Sequence, residues 1–274
     1  MIPSVPFRAD FCKLEALAND FVLIDARDAK LELEPARVAA LADRRTGIGF
    51  DQMLVLGPGT DGAAAAIEIF NADGSRAEQC GNGMRAIAAW LDRAGQLAPG
   101  TRVQTPAGDV SLARAEEDGG FSADLPGPEP LNPSALGLAP PSLPANARTW
   151  HMVSLGNPHL IVCWRGEVSA AALAESVAAV ERSPAWRQQV NIGVLHVETE
   201  NAVSLRVHER GAGPTRACGS AACAAAWLTR REHPGPAPVA VRQPGGTLVV
   251  DLESRPGRAL TAGPATVVFE GRLA

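Results

Sequence analysis

The chain has 274 residues, of which 46% are hydrophobic, so it is long enough for one or two domains and apolar enough to build their cores. Its formal net charge of −5 comes from interspersed acids and arginines without a basic stripe, which argues against nucleic acid and favours a small-molecule partner. The start of the chain has no signal pattern and no apolar run approaches the roughly 18 residues of a membrane span, so we expect a soluble, cytoplasmic protein.

Along the chain, short β-type runs separated by glycine and proline outnumber the helical segments. The predicted strands are 21–24, 103–105, 110–113, 192–197, 203–207, 239–241, 248–252 and 266–269. The predicted helices are 35–44, 84–93, 169–180 and 221–230, which are rich in Ala, Leu and Arg and contain no internal proline. The pattern predicts a β-rich α+β fold in which two of the four helices directly follow a Cys-Gly pair.

A proline-rich segment indicates where the chain divides. Seven prolines occur between Pro126 and Pro144, too many for regular structure. We therefore predict one domain at 1–125 and a second at 126–263. The alternative is a long surface loop within a single domain.

The two predicted domains repeat each other at a fixed offset. Cys80 and Cys218 are 138 positions apart (218 − 80), and Asn19 and Asn157 are separated by the same number (157 − 19). Further matches at this offset are Leu17 with Leu155, Val103 with Val241, Pro106 with Pro244, Gly108 with Gly246, Ile67 with Leu205 and Ile69 with Val207. Four segments in register indicate an internal duplication that gives each half one Cys-Gly segment.

Each Cys-Gly pair precedes a helix-prone stretch, which places both thiols at helix N-termini. The N–H groups there can hold a substrate carboxylate, and the positive helix end is expected to lower a thiol pKa from its usual value of about 8.5. Two similar domains usually enclose a ligand, so Cys80 and Cys218 would approach one α-carbon from opposite faces. One thiolate would remove the α-hydrogen and the other thiol would deliver a proton, a two-base isomerisation that requires no cofactor.

The remaining cysteines are interpreted as core residues. Cys12 and Cys163 lie in strand-like runs, and Cys223 lies in an Ala-rich helix. The five cysteines are not spaced as CxxC pairs and the five histidines are scattered, so no metal site is predicted. For Cys80 and Cys218 the alternative is that they are packing residues copied by the duplication.

Seven segments together resemble diaminopimelate epimerase, in order and with matching spacing from about Phe11 to the C-terminus. They are LANDF at 17–21, GFDQ at 49–52, FNADGS at 70–75, QCGNG at 79–83, GNPH at 156–159, ERGAG at 209–213 and ACGS at 217–220. The resemblance implies interconversion of LL- and meso-diaminopimelate in lysine biosynthesis, without pyridoxal phosphate or metal. It also implies two pseudo-symmetric domains, each a mixed β-sheet wrapped around a central helix, with a final strand at 264–274 returning to the first domain. A homodimer is the expected assembly.

The resemblance assigns roles to individual residues. Cys80 and Cys218 become the acid/base pair, and Gly81-Asn82 with Gly219-Ser220 become donors to the reacting carboxylate. Asn19, Gln52 and Glu209 are expected near the reacting amino group, with His159 as a catalytic assistant. Asn71, Asn157, Asn191 and Arg210 are expected to hold the far end of the substrate, since an arginine fork suits its second carboxylate.

The sequence departs from the family pattern at positions that flank these residues. Glu15 stands where histidine is common, Ala16, Ala18 and Ala221 replace glycines, and Pro214 replaces an acid. Alanine in place of glycine suggests that the backbone avoids positive φ at those positions.

These departures leave the exact substrate open. A racemase of another amino acid on the same fold and a non-catalytic amino-acid-binding module are the alternative functions. A thiol redox protein would usually carry a CxxC pair, which the chain lacks.

Overall fold

A computed structural model describes residues 10–29, 31–115, 120–187 and 189–273. The chain divides into two compact units, Met1–Asp124 with Ala262–Ala274 (unit 1) and Leu125–Thr261 (unit 2). The predicted domain limits differ from these bounds by two residues or fewer. The signal-peptide prediction rests on the first residues, which lie outside the described part of the chain.

In its described residues, unit 1 contains nine strands and two helices. They are β1 (Asp10–Ala16), β2 (Asn19–Asp25), α1 (Pro35–Ala42), β3 (Gln52–Gly57), β4 (Ala65–Asn71), β5 (Arg76–Ala77), α2 (Gly81–Arg93), β6 (Arg102–Thr105), β7 (Gly108–Arg114), β8 (Phe121–Pro126, which ends just past the boundary) and, from the end of the chain, β18 (Thr266–Arg272).

Unit 2 repeats this order of elements. It contains β9 (Glu129–Pro130), β10 (Ala147–Ser154), β11 (Pro158–Trp164), α3 (Ala170–Val180), β12 (Asn191–Thr199), β13 (Ala202–Glu209), β14 (Gly213–Thr215), α4 (Gly219–Glu232), β15 (Val239–Gln243), β16 (Gly246–Asp251) and β17 (Arg258–Gly263). Two short 3-10 helices, Pro133–Leu136 and Pro184–Trp186, also belong to this unit. Each predicted strand and helix overlaps one of these elements.

The strand pairing is the same in both units, which confirms the duplicated α+β fold. In unit 1, β2 and β3 are parallel, β3 and β4 antiparallel, and β4 and β6 parallel. In unit 2, β11 and β12 are parallel, β12 and β13 antiparallel, and β13 and β15 parallel. β1 extends the first sheet between β18 and β2, as β10 extends the second between β9 and β11.

Each sheet packs on a central helix that is buried around most of its circumference. In α2 the residues from Asn82 to Ala89 are all buried, and in α4 those from Ala221 to Ala226 are buried. A helix that is apolar or small on nearly every side belongs inside a core. The other helix of each unit, α1 in unit 1 and α3 in unit 2, packs against the opposite face of the sheet. There it forms a second apolar cluster with side chains of the strands. Within the described residues, no helix is long and apolar enough to cross a membrane.

The proline-rich segment is part of unit 2 and does not behave as a linker. It forms β9, which pairs with β10, and one of the 3-10 helices. Leu138 is buried in the apolar cluster against α3, and the Trp186 indole donates a hydrogen bond to the Ala139 carbonyl at 2.9 Å. The prolines limit regular structure here, but apolar side chains between them fix the segment to the core.

Candidate functional site

In unit 1 the predicted site residues gather at one edge of the sheet, beside the start of α2. The parallel strands β2 and β3 begin at this edge and the antiparallel β4 ends there, so Asn19, Gln52 and Asn71 lie close together. Gln52 pairs directly with Asn71 across β3 and β4. The helix start at Cys80 follows β5, which pairs with the end of β4.

Amide side chains at this edge hold one another through hydrogen bonds. The Gln52 Nε2 donates to Asn71 Oδ1 at 2.9 Å, and Asn71 Nδ2 donates to Ser75 Oγ at 2.9 Å. The Asn82 Nδ2 lies 3.4 Å from Asn19 Oδ1, a long hydrogen bond. The orientation of each amide is therefore set before any ligand is bound.

Two residues that the sequence analysis missed orient these amides. Asp51 Oδ2 accepts a hydrogen bond from Asn19 Nδ2 at 2.8 Å, so the Asn19 carbonyl oxygen turns away from Asp51. Arg85 has no exposed surface, and its Nη2 donates to Asn82 Oδ1 at 2.6 Å. Asp51 lies inside the GFDQ segment and could have been noticed there. A buried arginine in the middle of a helix gives no comparable signal.

A network of ion pairs holds the Asp51 carboxylate in position. Arg44 Nη2 contacts both Asp51 and Asp20 at 2.8 and 2.7 Å, and Lys13 Nζ contacts Asp20 at 2.5 Å. Burial alone would raise the pKa of Asp20, but hydrogen bonds from Arg44 and Lys13 outweigh it and lower the pKa below its ordinary value. Lys13 is thus engaged in an ion pair with Asp20.

Cys80 is the N-cap residue of α2, which confirms the predicted position of the thiol at a helix N-terminus. Its Sγ accepts a hydrogen bond from the Gly83 N–H at 3.3 Å. The preceding N–H groups, on Gly81 and Asn82, belong to the first turn, where helices offer donors that have no partner within the helix. The first turn of α2 can therefore bind a carboxylate beside the thiol.

The turn between β1 and β2 corrects the expectation about alanine. Ala16 pairs with Asn19, leaving Leu17 and Ala18 as a two-residue loop. Their φ angles are 56° and 61°, so Ala18 adopts the conformation that alanine was expected to avoid. Positive φ at both positions is the conformation of a type I′ turn, which joins two antiparallel strands through a two-residue loop. Glu15 stabilises the turn, because its Oε1 accepts a hydrogen bond from the Ala18 N–H.

Unit 2 places its predicted residues at the corresponding edge, beside the start of α4. Asn157 precedes β11, Asn191 begins β12 and Glu209 ends β13. Asn191 is buried, and its Oδ1 accepts a hydrogen bond from the Arg210 backbone N–H at 2.8 Å. The Arg210 side chain is exposed. It therefore remains accessible to an anion at the edge.

His159 pairs with Asn191 across the adjacent parallel strands β11 and β12, and it is fully buried. Its Nε2 lies 3.0 Å from Asn157 Oδ1. An amide oxygen only accepts, so Nε2 carries the hydrogen. Burial lowers the pKa of His159 to about 3, which keeps the imidazole neutral. In this unit His159 orients the Asn157 amide, and its catalytic role stays a prediction.

Cys218 is the N-cap residue of α4 and is 5% exposed. Its backbone N–H donates to Gln243 Oε1 at 2.8 Å, and its Sγ lies 3.4 Å from Ser220 Oγ. Burial raises the pKa of Cys218 well above its ordinary value, and the negative charge of Glu209 adds to the increase. The expectation that the helix end would lower this pKa is wrong, because burial in a low-dielectric core outweighs the helix dipole.

Glu209 interacts both with the Cys218 thiol and with a residue of strand β14. Its Oε1 accepts a hydrogen bond from Thr215 Oγ1 at 2.6 Å. Thr215 lies on β14, which pairs with the end of β13 and leads into α4. The pairing therefore holds the Glu209 carboxylate close to Cys218.

Each unit thus presents one thiol at a helix N-terminus together with a cluster of oriented polar side chains. In unit 1 these are Asn19, Gln52, Asn71, Cys80, Gly81 and Asn82; in unit 2 they are Asn157, His159, Asn191, Glu209, Arg210, Cys218, Gly219 and Ser220. A thiol can exchange a proton with a carbon acid, and helix N–H groups can stabilise the negative charge that results. Both clusters are equipped for proton transfer next to a bound carboxylate.

Comparison with solved structures defines the class of fold. A hydroxyproline epimerase from Agrobacterium vitis is similar over 97% of this chain and 92% of that one, with a TM-score of 0.71 and 13% sequence identity. A predicted epimerase from Pseudomonas aeruginosa is similar over 97% and 99%, with a TM-score of 0.67 and 18% identity. The chain therefore has the two-domain fold found in these epimerase structures.

Sequence comparison identifies the family. The model of the diaminopimelate epimerase family matches residues 11–124 and 151–268. The diaminopimelate epimerases of Halorhodospira halophila and Xanthomonas axonopodis are each 39% identical to the chain, covering 96% of it and 94% and 96% of their own lengths. This chain belongs to the diaminopimelate epimerase family, as its motifs predict.

Proposed function

We propose that this protein interconverts LL- and meso-diaminopimelate by moving a proton at one α-carbon. The observation that carries the proposal is the duplicated cysteine, because each unit places one thiol at the start of its central helix, beside oriented polar groups. Membership of the family supports diaminopimelate as the substrate.

In the proposed reaction, the thiolate of one cysteine takes the α-hydrogen as a proton, and the C–H electron pair remains on the substrate as a carbanion. The thiol of the other cysteine then gives its proton to the opposite face of the carbon. Gly81, Asn82, Gly219 and Ser220 would offer backbone N–H groups to the carboxylate, where the negative charge develops. The two sulfur atoms end the turnover with exchanged protonation states, ready for the reverse reaction.

The raised pKa of Cys218 fits the basicity that this step requires. An α-hydrogen next to a carboxylate is a very weak acid, and a thiolate becomes a stronger base as its pKa rises. At neutral pH Cys218 is protonated, so we infer that it begins a turnover as the proton donor, and that ionisation of Cys218 starts the opposite direction. Glu209, which raises this pKa, would then favour the form of the free enzyme in which Cys218 is protonated, without changing the equilibrium between the two substrates.

The polar clusters would distinguish diaminopimelate from simpler amino acids. Arg210 is exposed at the unit 2 edge and could pair with a second carboxylate. Asn71, Asn157 and Asn191 would bind the distal amine and carboxylate through amide groups. We propose that the protein acts in lysine biosynthesis, that it is located in the cytoplasm, and that it works as a homodimer.

Product analysis with a panel of amino acids tests the substrate. Purified, reduced protein without added cofactor is incubated with LL-diaminopimelate, L-lysine and L-proline, and the products are separated by chiral chromatography. We expect meso-diaminopimelate to form and the other two substrates to remain unchanged. Racemisation of proline or lysine without turnover of diaminopimelate would replace this proposal with a racemase of another amino acid.

A further inference from the structure

Three potential metal ligands converge in unit 2 at the end of α4 opposite the candidate site. They are His151 on β10, Cys163 on β11 and Glu232, the last residue of α4. One ligand atom from each lies within 4.8 Å of the other two. Cys218 is at the other end of the same 14-residue helix, about 20 Å away at 1.5 Å per residue, so this group is separate from the candidate site.

The fold explains why these residues meet although they are distant in sequence. In the antiparallel pair β10–β11, His151 lies opposite Ile161, and Cys163 lies opposite Thr149. His151 and Cys163 are therefore diagonal neighbours on one face of the sheet, the arrangement in which side chains reach each other. The C-terminal end of α4 brings the Glu232 carboxylate to the same place.

The ligand types match a borderline divalent cation such as Zn²⁺. Imidazole nitrogen, thiolate sulfur and carboxylate oxygen are its usual protein ligands, and three of them with a fourth position open to water make a tetrahedral site. Bond lengths of about 2.0 to 2.3 Å would place adjacent ligand atoms roughly 3.5 Å apart. Glu232 is exposed and His151 is partly buried, so small side-chain rotations can close the remaining distance around the buried Cys163.

The charges around the three ligands are of both signs, and Glu232 is the anionic group that attracts a cation. The carbonyl end of a helix is its negative end, and a carboxylate there is unfavourable unless a positive charge lies nearby. Arg231, on the neighbouring position, is stacked over the Trp227 ring at 4.7 Å. Arg148 lines a cavity of about 10 Å³ together with Cys163 and Glu232, and the charge of Arg231 acts on His151, so these are two basic groups with which a bound cation would compete.

We propose that His151, Cys163 and Glu232 form a Zn²⁺-binding site that joins the end of α4 to strands β10 and β11. The spacing of the ligands explains why the sequence analysis predicted no metal site, since 12 positions (163 − 151) and 69 positions (232 − 163) separate them. A metal ion that binds the folded protein but not the unfolded chain stabilises the folded state, so the site would stabilise unit 2.

Titration with Co²⁺ tests the proposal in full-length, reduced, chelator-treated protein. We expect one equivalent to bind and to produce a thiolate-to-cobalt charge-transfer band together with the visible bands of a tetrahedral ion. Cys163→Ser should abolish the charge-transfer band, whereas Cys12→Ser, a buried thiol in unit 1, should retain it. His151→Ala and Glu232→Gln should weaken binding by about tenfold or more, since even removing groups that only support a ligand costs that much.

Arg148→Ala and Glu232→Gln test the site without changing a buried residue, because both side chains are exposed, whereas Cys163 is buried. Loss of the competing arginine should tighten Co²⁺ binding, and exposed Glu232 can change to glutamine without disturbing packing. Absence of the band in the unmodified protein would overturn the proposal. So would a band that survives Cys163→Ser and disappears with Cys80→Ser or Cys218→Ser, or affinity that is the same in His151→Ala, Glu232→Gln and the unmodified protein.

Discussion

Replacing Cys80 separates its role as a helix cap from its proposed role in proton transfer. The Cys80 Sγ accepts the Gly83 N–H at 3.3 Å, so Cys80→Ala removes this acceptor, whereas Cys80→Ser retains one. Loss of an N-cap oxygen costs about 1 kcal/mol, and sulfur is a weaker acceptor, so we expect Cys80→Ala to destabilise the protein by about 0.5 kcal/mol. Cys80→Ser should equal or slightly exceed the stability of the unmodified protein.

Both variants should lose activity to a similar extent. A serine hydroxyl is far too weak an acid to exchange the proton as the thiol does, and general acid–base groups contribute about 10²- to 10⁴-fold to rates. We therefore expect the epimerisation rate to fall at least about a hundredfold in Cys80→Ser as in Cys80→Ala. The stability order is measured by urea unfolding, and the rate by chiral chromatography of meso-diaminopimelate.

Cys12→Ala is the matched control, because Cys12 is buried in the same unit and lies outside the candidate site. It should keep its activity even if its stability falls. If Cys80→Ser retained the rate of the unmodified protein, the thiol would not be required for proton transfer. If Cys80→Ala were as stable as Cys80→Ser, the observed cap would contribute nothing, and the structural part of the reasoning would fail.

Three further predictions concern backbone strain, the second thiol and pH. Ala18→Gly should stabilise the protein by about 0.5 to 1 kcal/mol in urea unfolding, since alanine at φ 61° is strained; an unchanged or lower stability would contradict the turn geometry. Glu209→Gln should lower the pKa of Cys218, which is raised by burial and by this carboxylate, so iodoacetamide should modify Cys218 at lower pH in peptide mapping; an unchanged pH profile would exclude the interaction. The lowered pKa of Asp20 contributes stability above its unfolded pKa of about 3.9, and this stability is lost as pH falls through the folded pKa. Asp20→Asn should therefore destabilise the protein by about 1 to 3 kcal/mol at pH 7 and by progressively less as pH falls below about 3.9, and an equal loss at pH 7 and pH 2 would refute the charge-based explanation.

The sequence predicted the duplicated architecture because both of its signals can be read without the folded structure. The Cys-Gly pairs before α2 and α4 are helix N-terminus patterns, and the fixed offset of 138 positions needs no knowledge of the fold. Strand β10 is one of several strands that the sequence did not predict, because Arg148, Trp150 and His151 do not alternate between polar and apolar as a half-buried strand does. Its position depends on pairing with β11 and β9, which only the folded chain provides.

The sequence indicated which types of residue lie beside the two thiols, but it did not predict that the pKa of Cys218 is raised. The helix N-terminus at Cys218 was evident, whereas its burial and the approach of Glu209 depend on β13, β14 and α4 packing together. Likewise, the positive φ of Ala18 follows from the pairing of Ala16 with Asn19, which overrides the local preference of alanine. Arg85 has its effect through a contact inside the core, and composition alone gives no reason to single it out.

Solvent-hydrogen exchange tests the central claim most directly. The reduced protein, without added cofactor, is incubated with LL-diaminopimelate in D₂O, and deuterium at the α-carbon is followed by NMR while meso-diaminopimelate is measured by chiral chromatography. The account predicts that meso product forms with solvent deuterium at the inverted centre, and that neither appears in a Cys80→Ala, Cys218→Ala double variant. Folded, reduced protein that produces neither exchange nor meso product would contradict the account, and so would a double variant that still turns over.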